Sequence, residues 1–143
     1  MLKIYKYLLI GLFFFVQVVW AEWTGTGMVV CQEGIGITAG HVVDTSRKLL
    51  IYVDKHWVEI KVLKIDYKRD IAVFRVLGEH RFKDVPIRTY TVPNEVGTMI
   101  GYPQPKTVYD LPTITKGKTV GFRIAPWHMI TDIPTRPGNS GSP

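Results

Sequence analysis

The sequence predicts an all-β protein, and three observations carry the prediction. Residues 57–65 alternate apolar and polar side chains over much of their length. That period-2 pattern marks a strand with one face in a core and the other in water. Short runs rich in Val, Ile and Thr recur between Gly, Pro and Asn turn signals, at the spacing of a β-sandwich or barrel. Beyond residue 21 no segment carries convincing helical periodicity.

The first 21 residues stand apart. Lys3 and Lys6 precede an almost unbroken apolar run over residues 7–19, and Val19-Trp20-Ala21 supplies a small-residue cleavage site. A basic n-region, a short h-region and such a site describe a secretory signal peptide over residues 1–21. The run is short for a membrane span, so no stable span is expected after cleavage; an uncleaved signal anchor is the alternative.

Residues 22–143 then form one domain. Its first barrel, about 23–78, is built from predicted strands at 27–31, 35–38, 49–53, 57–65 and 71–76. Gln32-Glu33-Gly34 turns the first pair, and Asp54-Lys55 is a two-residue turn between the third and fourth. A linker at about 79–95, rich in charge and containing Pro86 and Pro93, separates this from a second unit at about 96–143. That unit begins with the segment 97–103. A loop follows at 104–112, then a strand at 113–122 with a bulge expected at Gly117, and another at 127–131.

Composition narrows the function. The chain has 143 residues and a formal charge of +6. Cleavage after Ala21 removes Lys3 and Lys6, and the remaining basic residues never run longer than two. This is a solvated surface rather than a nucleic-acid footprint. Cys31 is the single cysteine, so no intrachain disulfide can form; it reads as a small buried hydrophobe. His56, His80 and His128 lack ligand-like spacing, so no metal site is expected. Trp23, Trp57 and Trp127 read as packing residues.

The chemistry concentrates in three motifs. Gly138-Asn139-Ser140-Gly141 places a serine between glycines that allow a tight turn and aim amides at a substrate. The same four residues also make a good surface turn. Thr38-Ala39-Gly40-His41 supplies a base, and Asp70-Ile71-Ala72-Val73 an acid to orient it, with Asp66 as the nearest rival. A serine hydroxyl is a weak nucleophile near neutrality. It needs a base within reach, held in one tautomer by a third group.

These motifs, in the order His, Asp, Ser, resemble the trypsin-like serine peptidases of chymotrypsin fold, especially the HtrA-like branch. Gly25-Thr26-Gly27-Met28-Val29-Val30 is similar to that branch's opening strand. Ile37-Thr38-Ala39-Gly40-His41-Val42-Val43 is similar to its histidine motif, and Asp66-Tyr67-Lys68-Arg69-Asp70-Ile71-Ala72-Val73 to its aspartate motif. Val96-Gly97-Thr98-Met99-Ile100-Gly101-Tyr102-Pro103 resembles the first strand of the second barrel. The segment from Thr131 through Pro143 resembles the nucleophile segment, and its Gly-Asn-Ser-Gly-Ser-Pro form also resembles glutamyl endopeptidases. The resemblance implies peptide-bond hydrolysis by Ser140, His41 and Asp70, with the backbone N–H groups of Gly138 and Ser140 as oxyanion hole. It also implies polypeptide substrates and no metal or organic cofactor; the signal peptide implies export, to a periplasmic or extracellular location.

Two departures from the family pattern matter. Asn139 stands where zymogen-type relatives carry an aspartate that pairs with a new N-terminal amine, so no such activation switch is expected. The chain ends three residues after Ser140, so a complete first barrel and an incomplete second one are expected. The expected explanations are a fragment, a crippled product, or completion by a homo-oligomer or another strand-donating partner. The resemblance puts Pro134, six residues before Ser140, near the base of the specificity pocket, where it offers no charge and argues against cleavage after Lys or Arg. The rival readings are a non-catalytic trypsin-fold binding protein and a strand-complemented half of a complex.

Overall fold

The computed structural model describes residues 24–88, 90, 92–103, 111–123 and 128–143. The expected signal peptide, Trp23 and Trp127 lie outside the described residues. Among the described residues eight strands follow in order: β1 Gly27–Val29, β2 Ile35–Ala39, β3 Leu50–Val53, β4 His56–Asp66, β5 Ile71–Val76, β6 Val96–Gly101, β7 Thr113–Arg123 and β8 His128–Thr131. They form two antiparallel sheets, a five-stranded one ordered β1-β2-β5-β4-β3 and a three-stranded one ordered β6-β7-β8. Among the described residues β1 and β3 are outer strands and do not pair, so the larger sheet is a half-barrel.

The core of the larger sheet sits on its central strand. Ala72, Phe74 and Val76 alternate inward along β5 and are buried, while Ile71 and Arg75 face out. Phe74 is register partner to Gly36 on one side and Val62 on the other. Its ring occupies the space a Cβ at Gly36 would need, which is why β2 carries glycine there. Strand β4 keeps Ile65 on the same face as Ile60 and Val62 by means of a bulge. The register shifts between Val62 and Lys64, so Leu63 drops out of the ladder and Ile65 meets the buried Ala72. Strict alternation would instead have turned Lys64 inward and Ile65 outward.

Two local expectations are corrected. The bulge in β7 lies between Thr119 and Gly121, where β8 pairs, and not at Gly117. Gly117 stays in regular register with Gly97. A Cβ there would meet the Ile133 backbone nitrogen at 2.8 Å, so glycine serves close approach of the chain after β8. Cys31 lies beyond the end of β1, in the turn, and is only half-buried. The turn at Asp54-Lys55 does have the left-handed φ values, 47° and 67°, of a type I′ hairpin.

The segment between the sheets is tied at both ends. Val85 N–H donates to the Val30 carbonyl at 3.0 Å, and Gln32 bonds Asp84 through backbone and side chain. Further on, Arg88 pairs with Glu95 and lies 5.1 Å from the Tyr90 ring centre. Asn94 N–H donates to the Thr119 carbonyl, and Thr119 N–H to that of Glu95.

Candidate active site

Antiparallel pairing brings His41 to Asp70. The β2–β5 ladder ends with Ala39 opposite Ile71. The next residue outward on β2 enters a short 3-10 turn, Gly40–Val42, and the residue before β5 is Asp70. The sheet thus closes a sequence separation of 29 residues. Asp70 itself has a φ of 56°, a left-handed conformation that aspartate tolerates better than most residues. It is the last residue of a turn that Asp66 closes, with the Arg69 N–H donating to Asp66 Oδ1 at 3.0 Å and the Arg69 guanidinium to Oδ2 at 2.6 Å. Asp66 therefore shapes the turn, and Asp70 is the aspartate that faces His41.

Ser140 comes from the other direction, after β8. Pro137 and Gly138 occupy the centre of a β-turn closed by Asn139 N–H donating to the Arg136 carbonyl at 3.0 Å. Gly138 has a φ of 93°, as the third position of a type II turn requires, and proline at the second position suits that turn. A second turn follows, with Ser142 N–H donating to the Asn139 carbonyl at 2.9 Å. Gly141 takes a φ of 83°. A Cβ there would meet the Ala39 backbone at 2.8 Å, so the serine loop packs directly against the end of β2.

The three predicted side chains form one hydrogen-bonded row. His41 Nδ1 lies 2.7 Å from Asp70 Oδ2, and His41 Nε2 lies 2.9 Å from Ser140 Oγ. The His41 backbone N–H also donates to Asp70 Oδ1 at 2.8 Å, so the carboxylate grips both the backbone and the ring. With Nδ1 carrying the proton toward Asp70, Nε2 is left to accept from the serine hydroxyl. Partial desolvation pushes the Asp70 carboxyl up. The hydrogen bonds from the His41 side chain and backbone outweigh it, and the net shift is downward. His41 and Asp70 side chains are each about half exposed, at 53% and 49%.

Among the described residues, neither the Gly138 nor the Ser140 amide donates a hydrogen bond. Asn139 is buried, and its Oδ1 has no hydrogen-bond partner among the described residues; nor has the buried Ser142 Oγ. Both atoms lie against Gly101, where a Cβ would meet Asn139 Oδ1 at 2.7 Å. The described residues contain no cluster that could hold a metal ion, and no helix among them is long and apolar enough to cross a membrane. A cavity lined by Glu33, Gly34, Val76, Glu79, His80 and Arg81, among others, lies at the opposite end of the β2–β5 pair, and its lining includes no serine, threonine or cysteine.

One residue of the site escaped the sequence reading. Thr26 N–H donates to the Ser140 carbonyl at 2.8 Å, and Thr26 Oγ1 to the Gly138 carbonyl at 3.0 Å. Its only signal was its place between Gly25 and Gly27 in the opening motif, which identifies a strand and not a partner 112 residues away.

Comparison with known proteins gives the family. The family model for the trypsin-like peptidase domain matches residues 25–143. A probable periplasmic serine endoprotease, DegP-like, of Hahella chejuensis is 26% identical over 133 residues, covering 86% of this chain and 27% of the relative. Proteins with the same description from Pseudomonas fluorescens and Pseudomonas savastanoi pv. phaseolicola are 23% and 25% identical over 139 and 129 residues. They are covered over 27% and 26% of their length, by 86% and 83% of this chain. The chain thus spans about a quarter of the length of the curated relatives it matches. Its architecture is chymotrypsin-like, with a half-barrel first sheet and three strands of an incomplete second barrel among the described residues. The chain belongs to the trypsin-like peptidase domain family, and the relatives it matches are DegP-like serine endoproteases.

Proposed function

We propose that the protein is an exported serine endopeptidase that hydrolyses peptide bonds through an acyl-enzyme. The observation that carries this reading is the continuous row from Asp70 Oδ2 through both nitrogens of His41 to Ser140 Oγ, with links of 2.7 and 2.9 Å. Ser140 Oγ attacks the substrate carbonyl while His41 Nε2 takes its proton. His41 then gives that proton to the leaving amine, and Asp70 steadies the imidazolium. Water enters in place of the amine and loses a proton to His41 as it attacks the acyl carbon; the acyl–Oγ bond then breaks, His41 returns the proton to Ser140 Oγ, and the acid is released. The amides of Gly138 and Ser140 receive the oxyanion, each worth about 3 kcal/mol in the transition state. The type II turn at Pro137-Gly138 supports that role, since it sets the orientation of the Gly138 amide in advance.

In this reading residues 1–21 are the signal peptide and 22–143 the peptidase domain, with an N-terminal barrel at about 23–78, a linker at about 79–95 and a partial C-terminal barrel at about 96–143. Export agrees with the periplasmic description of the matched relatives. The test is labelling of the purified chain by a fluorophosphonate probe. Labelling that disappears in Ser140→Ala and in His41→Ala is expected. A folded parent chain that stays unlabelled would end the hydrolase reading and leave a binding protein on a peptidase scaffold.

A further inference from the structure

We propose that Thr26 is a positioning residue whose hydroxyl locks the nucleophile turn onto both sheets. This rests on the reading of Ser140 as nucleophile. Thr26 is buried, immediately before β1, and uses every polar atom it has. Its N–H donates to the Ser140 carbonyl at 2.8 Å. Its Oγ1 donates to the Gly138 carbonyl at 3.0 Å and accepts from the Tyr102 N–H, just past β6, at 3.1 Å. Its carbonyl accepts from Thr38 Oγ1, on β2, at 2.7 Å.

The consequence for the site is specific. The peptide joining Gly138 to Asn139 is held from both ends, its carbonyl by Thr26 Oγ1 and its N–H by the Arg136 carbonyl. With that plane fixed, the turn keeps the positive φ of Gly138 and the amides flanking Ser140 keep their directions. A hydroxyl that donates and accepts at once also couples the end of the second sheet to the loop. Thr38, three residues before His41, anchors the same threonine. One side chain therefore registers the serine loop against the strand that carries the base. The β-branch of threonine limits χ1 and holds Oγ1 in place.

An apolar isostere leaves the Gly138 carbonyl and the Tyr102 N–H without their partner in a part-buried site. Thr26→Val in the full chain is therefore compared with Thr26→Ser and the parent. Peptide hydrolysis, fluorophosphonate labelling rate and amide hydrogen exchange are all measured. In Thr26→Val, kcat and labelling rate are expected to fall about 10- to 100-fold, with KM changed less than about twofold. The Asn139 and Ser142 amides should exchange faster, while those of β4 and β5 do not. Thr26→Ser should recover most of each effect. Exchange unchanged in Thr26→Val, or a serine variant no better than the valine one, overturns the proposal. A parent chain that neither cleaves nor labels refutes the hydrolase reading. The exchange data then still decide whether Thr26 holds the loop.

Discussion

Phe74 and Phe122 are the same residue on the central strands of two sheets, yet one is 1% exposed and the other 48%. Phe74 lies on β5 against the glycine of β2, in a sheet with two neighbours on one side and two on the other. Phe122 lies on β7 opposite Met129, and Val96, Ile114 and Val120 of its sheet are exposed as well. Apolar character alone does not bury a side chain; what covers the face decides. The difference extends to the site. His41 and Asp70 are held by the ladder of the packed sheet, whereas Ser140 is held by turns and by hydrogen bonds from Thr26.

The comparison can be broken or sharpened by substitution. The largest effect is expected at Asp70→Asn, which keeps the shape of the packed sheet but removes the charge that selects the His41 tautomer. It should lower kcat by about 10⁴-fold with the fold intact, read by steady-state hydrolysis and circular dichroism. Next is a paired stability measurement by urea unfolding. Phe74→Ala should cost about 3–5 kcal/mol through the cavity it leaves, and Phe122→Ala about 1 kcal/mol or less. Equal costs would erase the contrast between the sheets.

A smaller effect is expected at Asn139→Asp, in the loop between the sheets. The side-chain oxygen there is buried without a partner among the described residues. A carboxylate in its place should lower stability at neutral pH by about 1–3 kcal/mol. Burial would raise that carboxyl's pKa, so the loss should shrink as pH falls toward 4. The smallest effect concerns Asp70 and acid. Its folded pKa lies below the ordinary carboxylate value of about 3.9. Its contribution to stability is therefore complete above that value and is lost as pH falls through the lower folded one. The acid limb of a stability-against-pH curve should flatten in Asp70→Asn.

Much was legible locally. Alternation located β4, the Asp54-Lys55 turn divided it from β3, and the order and residue types of the three motifs pointed to His41, Asp70 and Ser140. What escaped was set by neighbours distant in the chain. A glycine in a strand signals a bulge or a close approach with the same letter, and at Gly117 the approach of Ile133 decided it. The bulge at Leu63 depends on which residues β5 presents across the ladder. Asp66 and Asp70 differ in role because one closes a turn and the other emerges beside β2.

The sequence by itself determined the class of fold, the strands and the identity of the chemical groups, because periodicity, turn preference and side-chain chemistry are properties of a few adjacent residues. Tertiary structure alone decided the 2.7 and 2.9 Å links, the burial of Asn139 and the bond from Thr26 to a carbonyl 112 residues away. Hydrogen bonds between distant segments depend on ångström-scale placement, and that placement exists only once the sheets have paired and the loop has docked on them.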